Sequence, residues 1–393
     1  MRSLCLYLQI HQPYRVKSSI SLQGRGTLQF DDALNEQIMK RVAERCYIPV
    51  ADTLLEMASL YREDFSCALS LTGTAIEQME LYAPRALERF VRLVDTGIVE
   101  LLSETYFHSL AALHEKSDEF EIQVRMHQDM TQRIFGCTPT VFRNTELVYN
   151  DTIAQRVANL GFNGVLVEGL EGPHCITTSS GVYRARDTKL AVIPRNFRVS
   201  DELAFRFTDS KGNTALRLDS YRDALDSLFV NDRRTVMIGV DFETFGEHID
   251  IATGILQFLR DLPRNSPDAP QFQWVTPSQM IERNTVDVEF VSPDTISWAD
   301  ESKDISTWLG NAMQRRAFEA LYDGSIQKSV GEDVWRRLQT SDHLYYMSTK
   351  RGADGDVHKY FSPFDNPYEA FISFMNSVQS DQSQEQIRVR QAS

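Results

Sequence analysis

Residues 4–13 read LCLYLQIHQP. The run is apolar except for Gln9 until it stops at His11, Gln12 and Pro13. A run of this length suits a β-strand buried on both faces, as the strands of parallel sheets are. It is too short to cross a bilayer. One arginine precedes it and no A-x-A-like site follows it, so it does not read as a secretion signal, and a cytoplasmic location is expected.

The same texture recurs along the chain. Further strands are expected at 65–71, 98–102, 140–143, 164–167, 190–193, 235–240 and 272–275. Helical spacing fills the intervals at 34–46, 50–60, 75–94 and 117–135. In the third of these Ala86, Leu87, Phe90 and Val94 share a face, and in the fourth Ile122, Met126, Met130 and Ile134 do, with Gly136 as the stop. A further helix carries Ile153, Ala154, Val157 and Leu160 and ends at Gly161. Strands alternating with helices imply a parallel sheet. Seven or eight such repeats favour an α/β barrel, while a doubly wound sheet stays open on periodicity alone. The stretch 305–338 reads as wholly helical, and the Gln/Ser-rich stretch 377–393 as a disordered tail.

Composition narrows the partners. The 393 residues are 42% hydrophobic, ample for a large core. With 55 acidic and 41 basic residues the formal charge is -14, which argues against nucleic acid as the ligand and suits a neutral substrate such as a sugar. Cys5, Cys46, Cys67, Cys137 and Cys175 are scattered, odd in number and without CxxC spacing, so free thiols are expected rather than disulfides or a zinc site.

Polar residues gather where strands end. The first strand runs into His11, the third into Glu100 and Glu104, the fourth into Arg143 and Glu146, and the strand at 235–240 into Asp241 and Glu243. In a parallel barrel the carboxyl ends of the strands share one face, which carries the active site. Two carboxylates on that face suit glycosidic chemistry, in which one attacks the anomeric carbon and the other protonates the leaving oxygen. Arg143 near Glu146 would favour an ionised carboxylate, and Glu243 and Glu247 near Asp241 would favour a protonated one. The plainer alternatives are that Glu146 merely precedes the helix caps Asn150 and Asp151, and that Glu104 is a solvated or salt-bridged residue.

Five stretches, in order, resemble glycoside hydrolase family 57, particularly its α-amylase-like group. They are His11-Gln12-Pro13, GIVELLSETYFHSL from Gly97, FRNTELVYN around Glu146, DFETFGEH from Asp241 to His248, and ISWADESKDISTWLGNAMQ from Ile296. The resemblance runs to about Met375. It implies an incomplete (β/α)7 TIM-like barrel over residues 1–280 and a C-terminal helical segment over 281–376 that completes the cleft. It also implies a retaining hydrolase of α-1,4-glucosidic bonds in starch, glycogen or maltooligosaccharides, with no metal, cofactor or membrane. Glu146 maps to the nucleophile and Asp241 to the general acid/base. His11, Glu100, Asp304 and Trp308 map to sugar-binding residues. His108, Glu243, His248 and Trp298 join them as candidates, a tryptophan face being apt to stack on a glucosyl ring; for Trp298 and Trp308 the alternative is core packing. Other functions considered are a 4-α-glucanotransferase sharing the same intermediate, a polysaccharide deacetylase with zinc on His11, His108, Asp241 or His248, and an inactive glycan-binding homologue.

Overall fold

The structure, a computed structural model, describes residues 2–18, 30–171, 179–209, 211–229, 235–264, 272–284, 288–350 and 362–379. Its strands are β1 (Ser3–Ile10), β2 (Cys67–Leu71), β3 (Val99–Leu101), β4 (Val141–Arg143), β5 (Gly164–Glu168), β6 (Tyr183–Ala185), β7 (Ala191–Arg195), β8 (Thr235–Asp241), β9 (Gln273–Trp274) and β10 (Glu289–Phe290). Every residue of β1 is buried, as its apolar run requires. β1 lies between β2 and β8, with Leu8 opposite both Leu69 and Val240. β2 pairs with β3, β4 with β5, and β5 with β7, all in parallel.

Two thin seams join these runs into a seven-stranded ring. Past the end of β3, Ser103 bridges Phe142 of β4, and between β7 and β8 only Arg195 and Met237 are in register. This is the incomplete (β/α)7 barrel that the resemblance implies. β6 and β10, not foreseen, extend the sheet outside the ring, β6 antiparallel to β7. The expected strand at 272–275 is the two-residue β9, paired with the start of β1.

The helices follow their caps more than their apolar periods. The Asp31 carboxylate accepts from the Leu34 N–H and starts α1 (Asp32–Val42), which passes through a π-turn at Ala43–Tyr47 directly into α2 (Ile48–Tyr61). Two expected helices are therefore continuous. The single helix expected at 75–94 is instead α3 (Gly73–Tyr82) and α4 (Pro84–Asp95). Pro84 has no N–H to offer the preceding turn and is favoured in a first turn, so one helix stops and another begins. α5 (Glu119–Phe135) ends on Gly136 at φ 70°, and Asn150 caps α6 (Asp151–Asn159). α7 (Phe197–Phe205), α8 (Leu218–Ser227), α9 (Ile255–Asp261) and α10 (Pro277–Arg283) follow.

Residues 305–338 are not one helix. They form α11 (Ser306–Leu309), α12 (Ala312–Tyr322), α13 (Ser325–Val330) and α14 (Glu332–Leu338), broken where Gly324 and Gly331 take φ of 80° and 83°. α15 (Ser341–Tyr345) and α16 (Pro367–Gln379) complete the described chain. α16 reaches three residues into the expected tail, whose remainder, like Cys175, lies outside the described residues. Cys5, Cys46, Cys67 and Cys137 are free thiols. Among the described residues no helix is long and apolar enough to cross a membrane.

What positions the site is the period-2 alternation of the strands. Cys5, Tyr7, Ala68, Val141, Leu166, Ile193 and Met237 form an apolar cluster inside the ring, together with Val275, which follows β9, and Met280 of α10. Two residues further along the same strands stand Gln9, Ser70, Arg143, Glu168, Arg195 and Gly239, and then Asp241. Inside this barrel the packing changes from apolar to charged within one pleat.

Candidate active site

The charged layer opens into a cavity of about 900 Å³. Its lining includes His11, His108, Glu146, Asp241, Glu243, His248 and Trp298, so seven of the ten expected residues meet in one place.

Glu146 stands in a turn (Thr145–Leu147) directly after β4, with φ 57° and ψ 25°. Left-handed backbone at a non-glycine residue is strained and persists only where the surroundings impose it. Here the Glu146 carbonyl accepts from Ser297 Oγ at 2.8 Å and from the Trp298 N–H at 3.3 Å. The carboxylate is buried, and Trp298, Ser341 and His108 all reach it. Trp298 Nε1 gives to Oε2 at 2.7 Å, while Ser341 Oγ and His108 Nε2 approach Oε1 at 3.1 and 3.2 Å. Such donors stabilise the ionised form.

His108, itself at φ 52°, stands between two carboxylates. Its Nε2 faces Glu146 and its Nδ1 faces Glu104 Oε2 at 3.4 Å. Burial opposes its charge, but the bonds to Glu104 and Glu146 outweigh burial and raise it to about 9. His11 stacks on it, with ring centroids 4.0 Å apart. Burial and the His108 charge lower His11 to about 4, so the stack pairs a neutral ring with a cationic one. His11 Nε2 lies 2.8 Å from Asp342 Oδ2, which only accepts, so Nε2 carries the hydrogen and Nδ1 accepts from the Thr72 hydroxyl at 3.0 Å.

Trp298 is held by charge as well as by Glu146. The guanidiniums of Arg143 and Arg195 lie over its ring, 5.2 and 5.4 Å from the centroid. Both are attracted by the negative face of the indole. Arg195 is fixed by Glu168 at 3.1 Å, by Asp201 and by the Gly239 carbonyl at 2.7 Å. A Cβ at Gly239 would come within 3.4 Å of the Arg195 side chain, so the glycine leaves room for this approach. Lys303 closes the cluster with a 2.8 Å bond to Glu168.

Asp241 ends β8 opposite Gln9 and is only partly buried. Glu243 sits in the turn behind it, buried at the cavity wall, and accepts from the Tyr47 hydroxyl at 2.6 Å. Burial and the neighbouring Asp241 push Glu243 up to about 8. A neutral acid beside Asp241 is thus part of the resting site.

Three expected sugar-binding residues are elsewhere. Glu100 lies in β3 one layer too low, where its carboxylate accepts from the Ser278 N–H at 2.9 Å and the Ser278 hydroxyl at 2.6 Å at the start of α10. Four residues of extended chain, roughly 13 Å, separate it from Glu104, which lies behind the site against His108. Trp308 is fully buried in a core cluster with Phe290, Ile296 and Leu344, so the core-packing alternative holds for it. Asp304 is half exposed and caps its own turn, accepting from the Ser306 N–H at 2.8 Å, and does not line the cavity.

Sequence reasoning missed Gln9, Arg195, Glu168, Ser341 and Asp342. For the first three the period-2 step from the apolar layer was a usable signal. Ser341 and Asp342 come from beyond the barrel, and neither spacing nor motif pointed to them.

A family model described as Glycosyl hydrolase family 57 matches residues 5–292. A protein of Methanocaldococcus jannaschii named "Putative alpha-amylase" is 38% identical over 388 residues, which cover 94% of this chain and 81% of that protein. Among solved structures, a GH57-type branching enzyme from Pyrococcus horikoshii superposes with a TM-score of 0.66 at 14% identity, over 96% of this chain and 88% of that one. A 4-alpha-glucanotransferase from Thermococcus litoralis gives 0.59 at 15% identity over 88% of this chain, which spans half of that protein's length. At such identities the two structures speak for the fold.

Proposed function

The chain belongs to glycosyl hydrolase family 57, and on that premise we propose that it hydrolyses α-1,4-glucosidic bonds of starch, glycogen or maltooligosaccharides with retention. The observation that carries this reading is that Glu146 and Asp241 line one cavity, with Glu146 held by Trp298, Ser341 and His108.

In this reading Glu146 is the nucleophile. Its carboxylate attacks the anomeric carbon while Asp241 gives its proton to the departing glycosidic oxygen. A glycosyl ester on Glu146 results. Asp241, now ionised, takes a proton from water as the water oxygen attacks the same carbon, which releases the sugar and restores both groups. Asp342 and His248, which line the cavity, offer polar contacts to sugar hydroxyls. Trp298, engaged by two guanidiniums and by Glu146, acts in positioning Glu146 more than as a stacking platform. Both ring nitrogens of His11 and of His108 already have protein partners, which disfavours their use as zinc ligands.

The test is product analysis with maltoheptaose. Shorter chains with rising reducing ends support hydrolysis, whereas longer chains mean that a sugar is the acceptor and the protein is a glucanotransferase. Glu146→Gln is expected to abolish turnover while sugar binding persists. Full turnover in that variant would refute the nucleophile, and a wild type that binds but never cleaves would make it a glycan-binding protein.

A further inference from the structure

Glu104 is fully buried and does not line the site cavity, yet its carboxylate meets charged and polar side chains. Gln9 Nε2 lies 3.3 Å from both of its oxygens. Arg143 Nη1 lies 3.7 Å from Oε2, and His108 Nδ1 lies 3.4 Å from the same oxygen. Arg143 is also fully buried, and its three guanidinium nitrogens find no hydrogen-bond acceptor among the described residues. Glu104 is thus the anion nearest at hand for that cation.

Read in order, Arg143, Glu104, His108 and Glu146 alternate in sign. We propose that Glu104 is a positioning residue that acts through His108, holding the imidazole doubly protonated so that a cation rests against the Glu146 carboxylate. Each ring nitrogen of His108 faces a carboxylate, and an ionised carboxylate has only acceptors, so both nitrogens need hydrogens. The ladder holds two cations and two anions and so is electrically closed. A buried charge without a partner is costly, which is why removing one rung is felt by the next.

The other groups facing His108 do not supply this hold. Arg143 on β4 repels its proton, and His11 beyond β1 is neutral and lies flat on the ring. Asp342 bonds to the Nε2 of His11 rather than to His108. Glu146 supports one nitrogen and Glu104 the other.

With glutamine at 104 one carboxylate remains, and His108 should release its proton nearer the ordinary imidazole range. The experiment is an imidazole ¹⁵N NMR titration of the whole protein, with His108 assigned by a His108→Asn variant. In the wild type His108 is expected to titrate near 9. In Glu104→Gln the midpoint should fall by about one unit or more, which is tenfold in proton affinity. Glu104→Asp, which keeps the charge, should move it back towards the wild type. Arg143→Gln removes a repelling cation and should shift it upward, which keeps the idea falsifiable if Glu104→Gln fails to fold. A Glu104→Gln midpoint equal to the wild type's overturns the proposal.

This inference rests on the nucleophile reading only for its kinetic arm, and the titration is read without substrate. In that arm Glu104→Gln should approach wild-type kcat/KM near pH 5 and fall away towards pH 8. A loss that is uniform across pH would give Glu104 a merely structural role and overturn the proposal.

Discussion

Trp298 Nε1 donates to Glu146 Oε2 at 2.7 Å while the backbone N–H of the same tryptophan donates to the Glu146 carbonyl at 3.3 Å. One residue thus fixes both ends of the glutamate, its strained backbone and its carboxylate. Trp298→Phe keeps an aromatic ring beside the two guanidiniums and removes the side-chain bond. A hydrogen bond to a charged group is worth about 1.5–3 kcal/mol, so kcat/KM on maltoheptaose is expected to fall about 10- to 100-fold. Steady-state kinetics at the pH optimum checks it, and an unchanged value would remove Trp298 from the positioning of Glu146.

Asp241→Asn tests the acid. Proton donation by a positioned side chain contributes on the order of 10²–10⁴-fold, and maltooligosaccharide cleavage should lose about that much. A 4-nitrophenyl maltooligosaccharide leaves without help from an acid, so bond cleavage should suffer far less with it. Burst kinetics on the two substrates separates the cases. Equal losses would assign the acid to another residue.

Glu243 is pushed up to about 8 in the folded chain, against an ordinary 4.5. The native state therefore holds this proton more tightly than the unfolded state does. The stability from this group is fully present below the ordinary glutamate range and is lost as pH rises through 8. Glu243→Gln is isosteric with the neutral form and has no proton to lose. Its Tm should match the wild type near pH 5 and exceed it near pH 9. A constant difference between the two pH values would argue that Glu243 is ionised at rest.

Trp308 belongs to the core rather than to the cleft. Truncating a buried tryptophan to alanine costs about 3–5 kcal/mol, so Trp308→Ala should lower Tm by many degrees. Trp308→Phe should keep kcat and KM close to wild type while still losing some stability. A rise in KM without a fall in Tm would return this residue to the sugar.

Much of this was legible in one dimension. Cys5, Tyr7 and Gln9 share a face of β1, with His11 next in the same alternation, and the change from apolar to polar along them already marks where core becomes cleft. The same reading on β4 and β8 leads to Arg143 and Asp241. It fails along and beyond β3, where Glu100 and Glu104 have the same parity, so alternation cannot say which bonds to α10 and which to His108. Trp308 sits four residues from Asp304 in a polar stretch, and nothing local distinguishes an indole turned inward from one turned to solvent. Ser341 and Asp342 were out of reach because their partners, Glu146 and His11, are 195 and 331 residues away. The break at Pro84 was readable from proline chemistry and was overridden by an apolar period that happens to continue across it.

The seams of the ring bear on how such a molecule fails. The arc β8–β1–β2–β3 carries Asp241 and His11, and the arc β4–β5–β7 carries Glu146 and Arg195. Between β3 and β4 the backbone link is Ser103 N–H to Val141 at 3.0 Å and Arg143 N–H to Ser103 at 2.8 Å, and between β7 and β8 it includes Asn196 N–H to Met237 at 2.8 Å. The gap between the two carboxylates is therefore spanned by the shortest runs of pairing among the described strands of the ring. Warming should open that gap before it melts either arc, so that the protein stops working while it still looks folded.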